Sequence, residues 1–312
     1  MPFKKPVQKF NAAINEVAIG TGENEVKLGG QNCYPFYVFD SEIANAPKVG
    51  IEISDIEDVN KAAAGDFYDG CADVADAVKK AAAAEGVDFI CIRLDGADPN
   101  GENRSVEQCV ETVKKAAGVT DKPLVIAGCK NNEKDAQIFD KVSDALQGRN
   151  ILVLSAREEN YKNVAASAGL AYGQKVGAES AVDVNLAKQL NVLMNQMGVG
   201  AQSVIMNTGA AAAGYGFEYV ISTLERVKGA ALTQNDAMLQ PPIITPVGNE
   251  TWNVKEAMAS DEDMPGWGDR IKRGVAMEIA TAAACLAAGS DAVILKNPKS
   301  AAAVSAMIKE LI

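Results

Sequence analysis

The chain has 312 residues, a formal net charge of −11, six cysteines and no histidine. That length suits one large barrel or two smaller domains. The acidity argues against broad contact with nucleic-acid phosphates, and the missing histidine excludes a His-centred triad or a His-ligated zinc site. No two cysteines stand at Cys-x-x-Cys spacing, the local mark of an iron–sulfur or structural zinc site, so neither is expected on this chain, nor are disulfides. No apolar run reaches the length of a membrane span. The opening Met1-Pro2-Phe3-Lys4-Lys5-Pro6 is not followed by an apolar segment of signal-peptide type. A cytoplasmic protein with no membrane and no nucleic-acid partner is expected.

In chain order, Val17–Ile19, Gly20-Thr21-Gly22 and Val26–Leu28 read as a hairpin. The aromatic stretch Tyr34–Phe39 follows and is expected to cover one end of the main domain or, as the alternative, to meet a partner. From Val49 onward, apolar runs of strand length alternate with helical patterns. Val49–Ile53 precedes a helix through Cys71–Val78. Phe89–Ile92 precedes a helix from Ser105 to Ala117, with Ser105 and Gln108 placed as a capping box. Pro123–Gly128 precedes a helix from Glu133 to Leu146, and Ile151–Leu154 one from Glu158 to Tyr172 that Gly173 stops. Lys175–Ala178 precedes a helix capped by Asp183 and reaching Met197. Val204–Met206 leads through a loop of glycine and alanine into a helix from Tyr219 to Ala231. Pro242–Val247 is the seventh run. An excursion through Trp252 and Trp267 then precedes a helix from Ile271 to Ala288. Ala292–Leu295 and a helix from Ser300 to Leu311 close the chain.

Eight strand–helix units with continuously apolar strands point to a parallel sheet covered on both faces, and eight is the count that closes a (β/α)8 TIM barrel. No Gly-x-Gly-x-x-Gly follows the first strand, which argues against a dinucleotide-binding doubly wound sheet. The reading is therefore an α/β fold, with an N-terminal β-hairpin extension over residues 1–48 and a TIM barrel over 49–312.

Function in this fold sits on the loops after the strands. These carry Ser54 and Asp55, Arg93 and Asp95, Lys130 with Asn131 and Asn132, Ser155 and Arg157, and Glu179 and Ser180. Asn207 and Thr208, Gly248 and Asn249, and Lys296 and Asn297 complete the set. The set is rich in amides, which donate and accept and so suit amide-bearing or heterocyclic ligands. The Gly209–Gly216 loop, with small side chains and freely turning glycines, reads either as a tight turn or as space cleared for a large flat ligand or another protein. Lys130, Lys175 and Lys296 near strand ends are candidates for a Schiff base.

Several stretches together carry a family resemblance. They are Asp183–Asn191; Thr208-Gly209 leading to Gly214-Tyr215-Gly216-Phe217-Glu218-Tyr219; Glu225-Arg226; Asp236–Leu239; Gly248–Trp252 with Lys255-Glu256-Ala257; Trp267-Gly268-Asp269 with Arg273-Gly274; and Ala288–Asp291. With these the chain resembles the small (delta) subunit of the corrinoid iron–sulfur protein, part of the carbon monoxide dehydrogenase/acetyl-CoA synthase system.

The resemblance implies a barrel that helps enclose a corrinoid (cobalamin) shared with a large subunit, with the iron–sulfur cluster on that subunit. It implies a methyl group passed from methyltetrahydrofolate, through a separate methyltransferase, to acetyl-CoA synthase in the acetyl-CoA (Wood–Ljungdahl) pathway. This chain would be a non-catalytic subunit of that methyl-transfer system. On the matching positions, the candidate corrinoid contacts are Asn207, Thr208, Gly209, Gly214, Tyr215, Gly248 and Asn249, with no catalytic and no metal-ligating residue. Thr208 and Asn249 are placed to bond corrin amides, and Tyr215 to pack on the ring edge or the partner. The chain departs from the family pattern at Asn207, where an acidic residue is usual, in its longer Ala210–Ala213 run, and in Lys296-Asn297-Pro298, where Arg-His-Pro is expected. Two rival readings are a stand-alone barrel pterin-dependent methyltransferase, with Asp95, Asn131 and Asn207 on the pterin, and a lysine-dependent aldolase.

Overall fold

The computed structural model describes residues 6–312; nearly all of the opening read above for a signal segment, Met1 to Lys5, lies outside the described residues. β1 (Val17–Ile19) and β2 (Val26–Leu28) form an antiparallel hairpin with Val17 opposite Leu28. The barrel then runs β3 (Lys48–Ser54), α1 (Glu57–Ala64), α2 (Val74–Ala82), β4 (Phe89–Arg93), α3 (Val106–Ala117), β5 (Leu124–Ala127) and α4 (Asn132–Ala145). β6 (Leu152–Ala156), α5 (Tyr161–Val164), β7 (Lys175–Glu179), α6 (Val184–Met197), β8 (Val204–Asn207) and α7 (Phe217–Thr233) follow. The last part is β9 (Ile244–Thr245), α8 (Val247–Thr251), α9 (Lys255–Met258), α10 (Arg270–Ala288), β10 (Ala292–Leu295) and α11 (Pro298–Leu311). The sheet order is β8-β7-β6-β5-β4-β3-β10-β9, with every neighbour parallel. A parallel bridge between Met206 and Ile243 brings β8 back to β9 and closes the barrel.

The continuously apolar strands follow from burial on both faces. Along β4, Phe89 and Cys91 belong to the core inside the barrel, while Ile90 and Ile92 pack in the layer beneath the helices. Along β5, Val125 and Ala127 point in and Leu124 and Ile126 point out. Gly50 makes room for a large inward side chain: a Cβ there would stand 2.2 Å from the Phe89 ring. Val17, Ile19 and Leu28 of the hairpin join the interior cluster with Phe89, Val125 and Leu152. The Asn150 amide holds the hairpin by donating to the carbonyls of Ala18 (2.9 Å) and Gly20 (3.0 Å). The hairpin thus stoppers the barrel at the end where the strands begin.

Local chemistry explains most element ends. Ser105 and Gln108 form the full capping box, and Asp183 accepts from the backbone N–H groups of Asn185 and Leu186 to start α6. Three expectations shift. The helix read through Cys71 starts at Val74, because Asp73 caps it by accepting from Asp76 N. The seventh strand shrinks to Ile244–Thr245; Pro242 and Pro246 flank it and offer no N–H to a ladder. The helix read as continuous from Glu158 to Tyr172 is an α-helical turn followed by a π-helical stretch over Ala165–Ala171, where side chains are small and Gly169 lies close to Val176 and Val199. The aromatic stretch contributes Tyr34 and Phe36 to the outer core, while the barrel interior is filled by the hairpin. Tyr34, Tyr37 and Phe39 pack in series on one another with Phe10, and Tyr37 and Phe39 stay half exposed. No helix among the described residues is long and apolar enough to cross a membrane.

Candidate functional site

At the ends of the strands, the barrel floor is ionic. Glu52 of β3 is the one charge within the otherwise apolar Val49–Ile53 run. Arg93 Nε, at the end of β4, lies 2.8 Å from Glu52 Oε2, and Lys296 Nζ, just past β10, lies 3.4 Å from Oε1. All three are buried. Burial pushes the Glu52 carboxyl up, but the adjacent guanidinium and ammonium outweigh it and hold it below its ordinary value.

A second tier lies across the barrel. Arg157 Nε is 3.1 Å from Glu179 Oε1 at the end of β7, and Arg157 Nη1 is 3.5 Å from Asp135 Oδ2. Asn207 ends β8. Its Nδ2 donates to Ser155 Oγ (3.0 Å) and Glu179 Oε2 (3.4 Å), and its Oδ1 accepts from Gly209 N (3.1 Å). Asp135 reaches back from α4 to accept from Cys129 N (2.8 Å) and Lys130 N (3.1 Å). Burial raises the Asp135 carboxyl despite those bonds. Burial and the neighbouring Asp135 push the Cys129 thiol up to about 12.

Above these tiers opens a cavity of about 220 Å³. Its polar lining comes from Arg93, Ser155, Arg157, Glu179, Asn207 and Asn249, and its apolar walls from Ala127, Leu154, Val182, Pro246 and Ile294. Lys130 Nζ stands 3.7 Å from Glu250 at its rim. At the far side of the mouth, Glu278 of α10 is buried and accepts from the backbone of Lys296 (2.7 Å) and Asn297 (3.2 Å). Burial raises its carboxyl.

Of the seven nominated residues, Asn207, Gly209 and Asn249 line this cavity. Thr208 lies beneath it, 1% exposed, and its Oγ1 has no hydrogen-bond partner among the described residues. Gly214 and Tyr215 stand outside it on the exposed loop. The Tyr215 hydroxyl donates to Glu256 Oε2 at 2.5 Å. Gly248 is buried at an internal contact, where a Cβ would stand 2.8 Å from both Glu278 Oε1 and Lys296 N.

Among the three residues read as pterin contacts, Asn207 alone faces the cavity. Asp95 accepts from Ser54 Oγ (2.6 Å) and Asn131 caps α4. The candidate Schiff-base lysines are not gathered: Lys175 opens β7 at the opposite end of the barrel, Lys130 is largely exposed, and Lys296 is held by Glu52. Sequence reasoning missed Glu52, Asp135, Glu250 and Glu278. Glu52 left a mark as a single charge within an apolar strand run, and Glu250 as part of the Gly248–Trp252 stretch.

The family model for the CO dehydrogenase/acetyl-CoA synthase delta subunit matches residues 16–303. The acetyl-CoA decarbonylase/synthase complex subunit delta 1 of Methanosarcina thermophila is 29% identical over 318 residues, spanning 98% of this chain and 72% of that protein. The delta subunit of Methanothermobacter thermautotrophicus is 30% identical over 302 residues, spanning 96% and 76%. Among solved structures, dihydropteroate synthase of Xanthomonas albilineans with 4-aminobenzoic acid superposes with a TM-score of 0.57 at 14% identity, covering 95% of this chain and 97% of that one. The same enzyme with 7,8-dihydropteroate gives 0.52 at 14%, covering 86% and 95%. At these identities the structural likeness concerns the fold alone.

Proposed function

The chain belongs to the CO dehydrogenase/acetyl-CoA synthase delta subunit family, and on that premise we propose that it is the small subunit of a corrinoid iron–sulfur methyl carrier. In this reading it pairs with a large subunit that holds the iron–sulfur cluster and most of the corrinoid domain. It serves transfer of a methyl group from methyltetrahydrofolate, through a separate methyltransferase, to acetyl-CoA synthase in the acetyl-CoA pathway. When bound, the corrinoid supplies the cobalt centre to which the methyl group is transferred. The division into an extension (1–48) and a barrel (49–312) is part of the same proposal, with the hairpin stopper as its support.

The residues present fit a cover for the corrinoid rather than its sole holder. A cavity of about 220 Å³ is below the 300–1,000 Å³ or so that drug-sized ligands occupy, so a macrocycle would lie over the mouth and not within it. The chain has no histidine to offer cobalt. The single observation that carries the reading is the Gly209–Gly216 loop. It stands at the mouth with side chains no larger than alanine up to Gly214, and it presents half-exposed Tyr215. Asn207, Gly209 and Asn249 would meet ligand from below, while Gly214 and Tyr215 would meet the corrin edge or the partner from above. Thr208 and Gly248 would act by fixing the loops that carry their neighbours.

The test is gentle purification of the chain from its native host, with metal analysis and a visible spectrum. Cobalt and iron co-eluting with a second, larger polypeptide is the expected result. A single colourless, metal-free chain would overturn the carrier reading.

A second reading, a stand-alone pterin-dependent methyltransferase, draws support from one observation: the cavity is of small-ligand size and lined by Asn207, in a fold shared with a dihydropteroate synthase solved with 7,8-dihydropteroate. Binding of methyltetrahydrofolate and methylation of free cobalamin by the chain alone would establish it.

A further inference from the structure

Strand-end loops and helix N-termini of a barrel mouth are where anions, phosphates above all, ordinarily bind. Here the chain's own carboxylates occupy them. Glu278 takes the N–H groups of Lys296 and Asn297 at the start of α11. Asp135 takes those of Cys129 and Lys130, and Asp55 takes that of Gly96 at 2.8 Å. All three acids are at least 95% buried. The side-chain cations are likewise engaged: Arg93 and Lys296 by Glu52, Arg157 by Glu179 and Asp135, and Lys130 by Glu250. Four cations thus face four carboxylates, and among the described residues each cation lining the mouth already has a carboxylate partner. An anionic ligand would enter beside Glu179 and Glu250 without compensation.

What remains for a ligand is neutral and directional. The Asn249 amide donates one long bond, 3.3 Å to Glu250, which leaves its carbonyl and a second N–H. The Asn207 carbonyl keeps a lone pair beyond its bond from Gly209 N. Glu179 keeps lone pairs beyond those used by Arg157 and Asn207. Donors and acceptors therefore share the cavity with apolar wall residues.

We infer that the mouth cavity is a site for an uncharged N–H/C=O edge, a primary carboxamide or a ring lactam, and that it rejects carboxylated and phosphorylated ligands. Such an edge has two sources: an amide arm of a corrinoid lying over the mouth, or a free bicyclic heterocycle. The first rests on the carrier reading; the second does not.

The experiment is calorimetric titration of the full-length chain with two matched pairs: cobinamide against cobyrinic acid, its side-chain carboxylic acid counterpart, and pterin against pterin-6-carboxylate. The same titrations are run on Asn249→Ala, an open-mouth truncation, and on Glu179→Gln. The expected result is that at least one neutral member binds, its acid binds tenfold or more weaker, and Asn249→Ala weakens the neutral member about tenfold with unchanged circular dichroism. Pterin binding with no cobinamide binding upholds this inference and counts against the carrier reading. Cobinamide and cobyrinic acid bound equally well would overturn the inference while leaving the carrier reading standing. No binding of either neutral compound, or binding indifferent to both substitutions in folded protein, would also overturn it.

Discussion

Lys228 Nζ and Asp291 Oδ2 meet at 2.7 Å, with 2% and 4% of the two side chains exposed. The other Asp291 oxygen accepts from Gln31 Nε2 at 2.5 Å, and Oδ2 also accepts from Ile243 N at 2.7 Å. One carboxylate therefore joins the N-terminal extension, α7 and the starts of β9 and β10. Removing it leaves a buried ammonium, a buried amide and a backbone N–H without their acceptor. Asp291→Ala is expected to cost about 3–5 kcal/mol, the range for breaking a buried pair from one side. Urea unfolding followed by circular dichroism measures it; a loss below about 1 kcal/mol, the scale of exposed pairs, would show that the network adds no more than a surface contact.

Glu52 gives a pH dependence with a definite sign. Its carboxyl is held below its unfolded value of about 4.5 by Arg93 and Lys296 against the opposing effect of burial. A depressed acid stabilises the fold above its unfolded pKa and loses that contribution as pH falls through the folded pKa. Glu52→Gln strands two buried cations, so at pH 7 it is expected to destabilise by about 3–5 kcal/mol. The gap between parent and variant should close as pH drops below about 4.5. Denaturant titrations from pH 7 to pH 3 test this, and a gap constant with pH would refute it.

The fold was legible because its signals are local. Strand runs such as Phe89–Ile92 are apolar on both faces, and caps such as Ser105 and Asp183 are written in a few neighbouring residues. Where the sequence misled, tertiary packing decided: the two prolines around Ile244 cut a strand that hydropathy lengthened, and the hairpin supplies apolar side chains to the barrel's lower interior, which its own short runs do not announce. The site was half legible. Strand-end positions such as Asn207 and Asn249 could be counted off, but their roles depend on acids from elsewhere in the chain. Asp135 and Glu278 lie on helices, and nothing in their own neighbourhoods says that they fold back over a strand-end loop. For the same reason nothing around Gly248, read as a strand-end candidate for corrinoid contact, announces that it packs against Glu278.

Asn207 stands where the family resemblance expects an acid, and the geometry shows what its amide does: it donates to both Ser155 and Glu179. Asn207→Asp would set two carboxylates side by side. The pair would then hold a proton more tightly when folded than unfolded, so stability should fall as pH rises above about 4. The expected loss at pH 7 is about 2 kcal/mol, the equivalent of one to two pKa units of repulsion, with recovery toward pH 4. Thermal unfolding across that range measures it; a pH-independent loss would mean that the missing donor, not the added charge, is responsible.

Two bonds tie the mouth loop to neighbouring helices: the Ala213 N–H on Thr281 Oγ1 of α10 (3.2 Å) and, further out, the Tyr215 hydroxyl on Glu256 of α9. Gly214, with φ of 91° and open space where a Cβ would stand, lets the chain turn toward the outer tie. The two features act differently and can be separated. Gly214→Ala meets no neighbour, so its cost is backbone strain, about 1 kcal/mol, and the fold should survive. Tyr215→Phe keeps the ring and the Ala213–Thr281 bond but removes the outer tie, so global stability should hold while the loop opens more often. Hydrogen exchange read by mass spectrometry should then quicken in residues 209–216 and stay unchanged in the barrel strands, since local opening is drawn from the least-tethered segments. If the carrier reading is right, Tyr215→Phe should also speed loss of corrinoid from the purified complex, because the cover is released while the cavity beneath it is intact. Faster exchange without faster corrinoid loss would place the corrinoid away from this loop. Unchanged exchange would show that the Glu256 contact does not hold the loop at all.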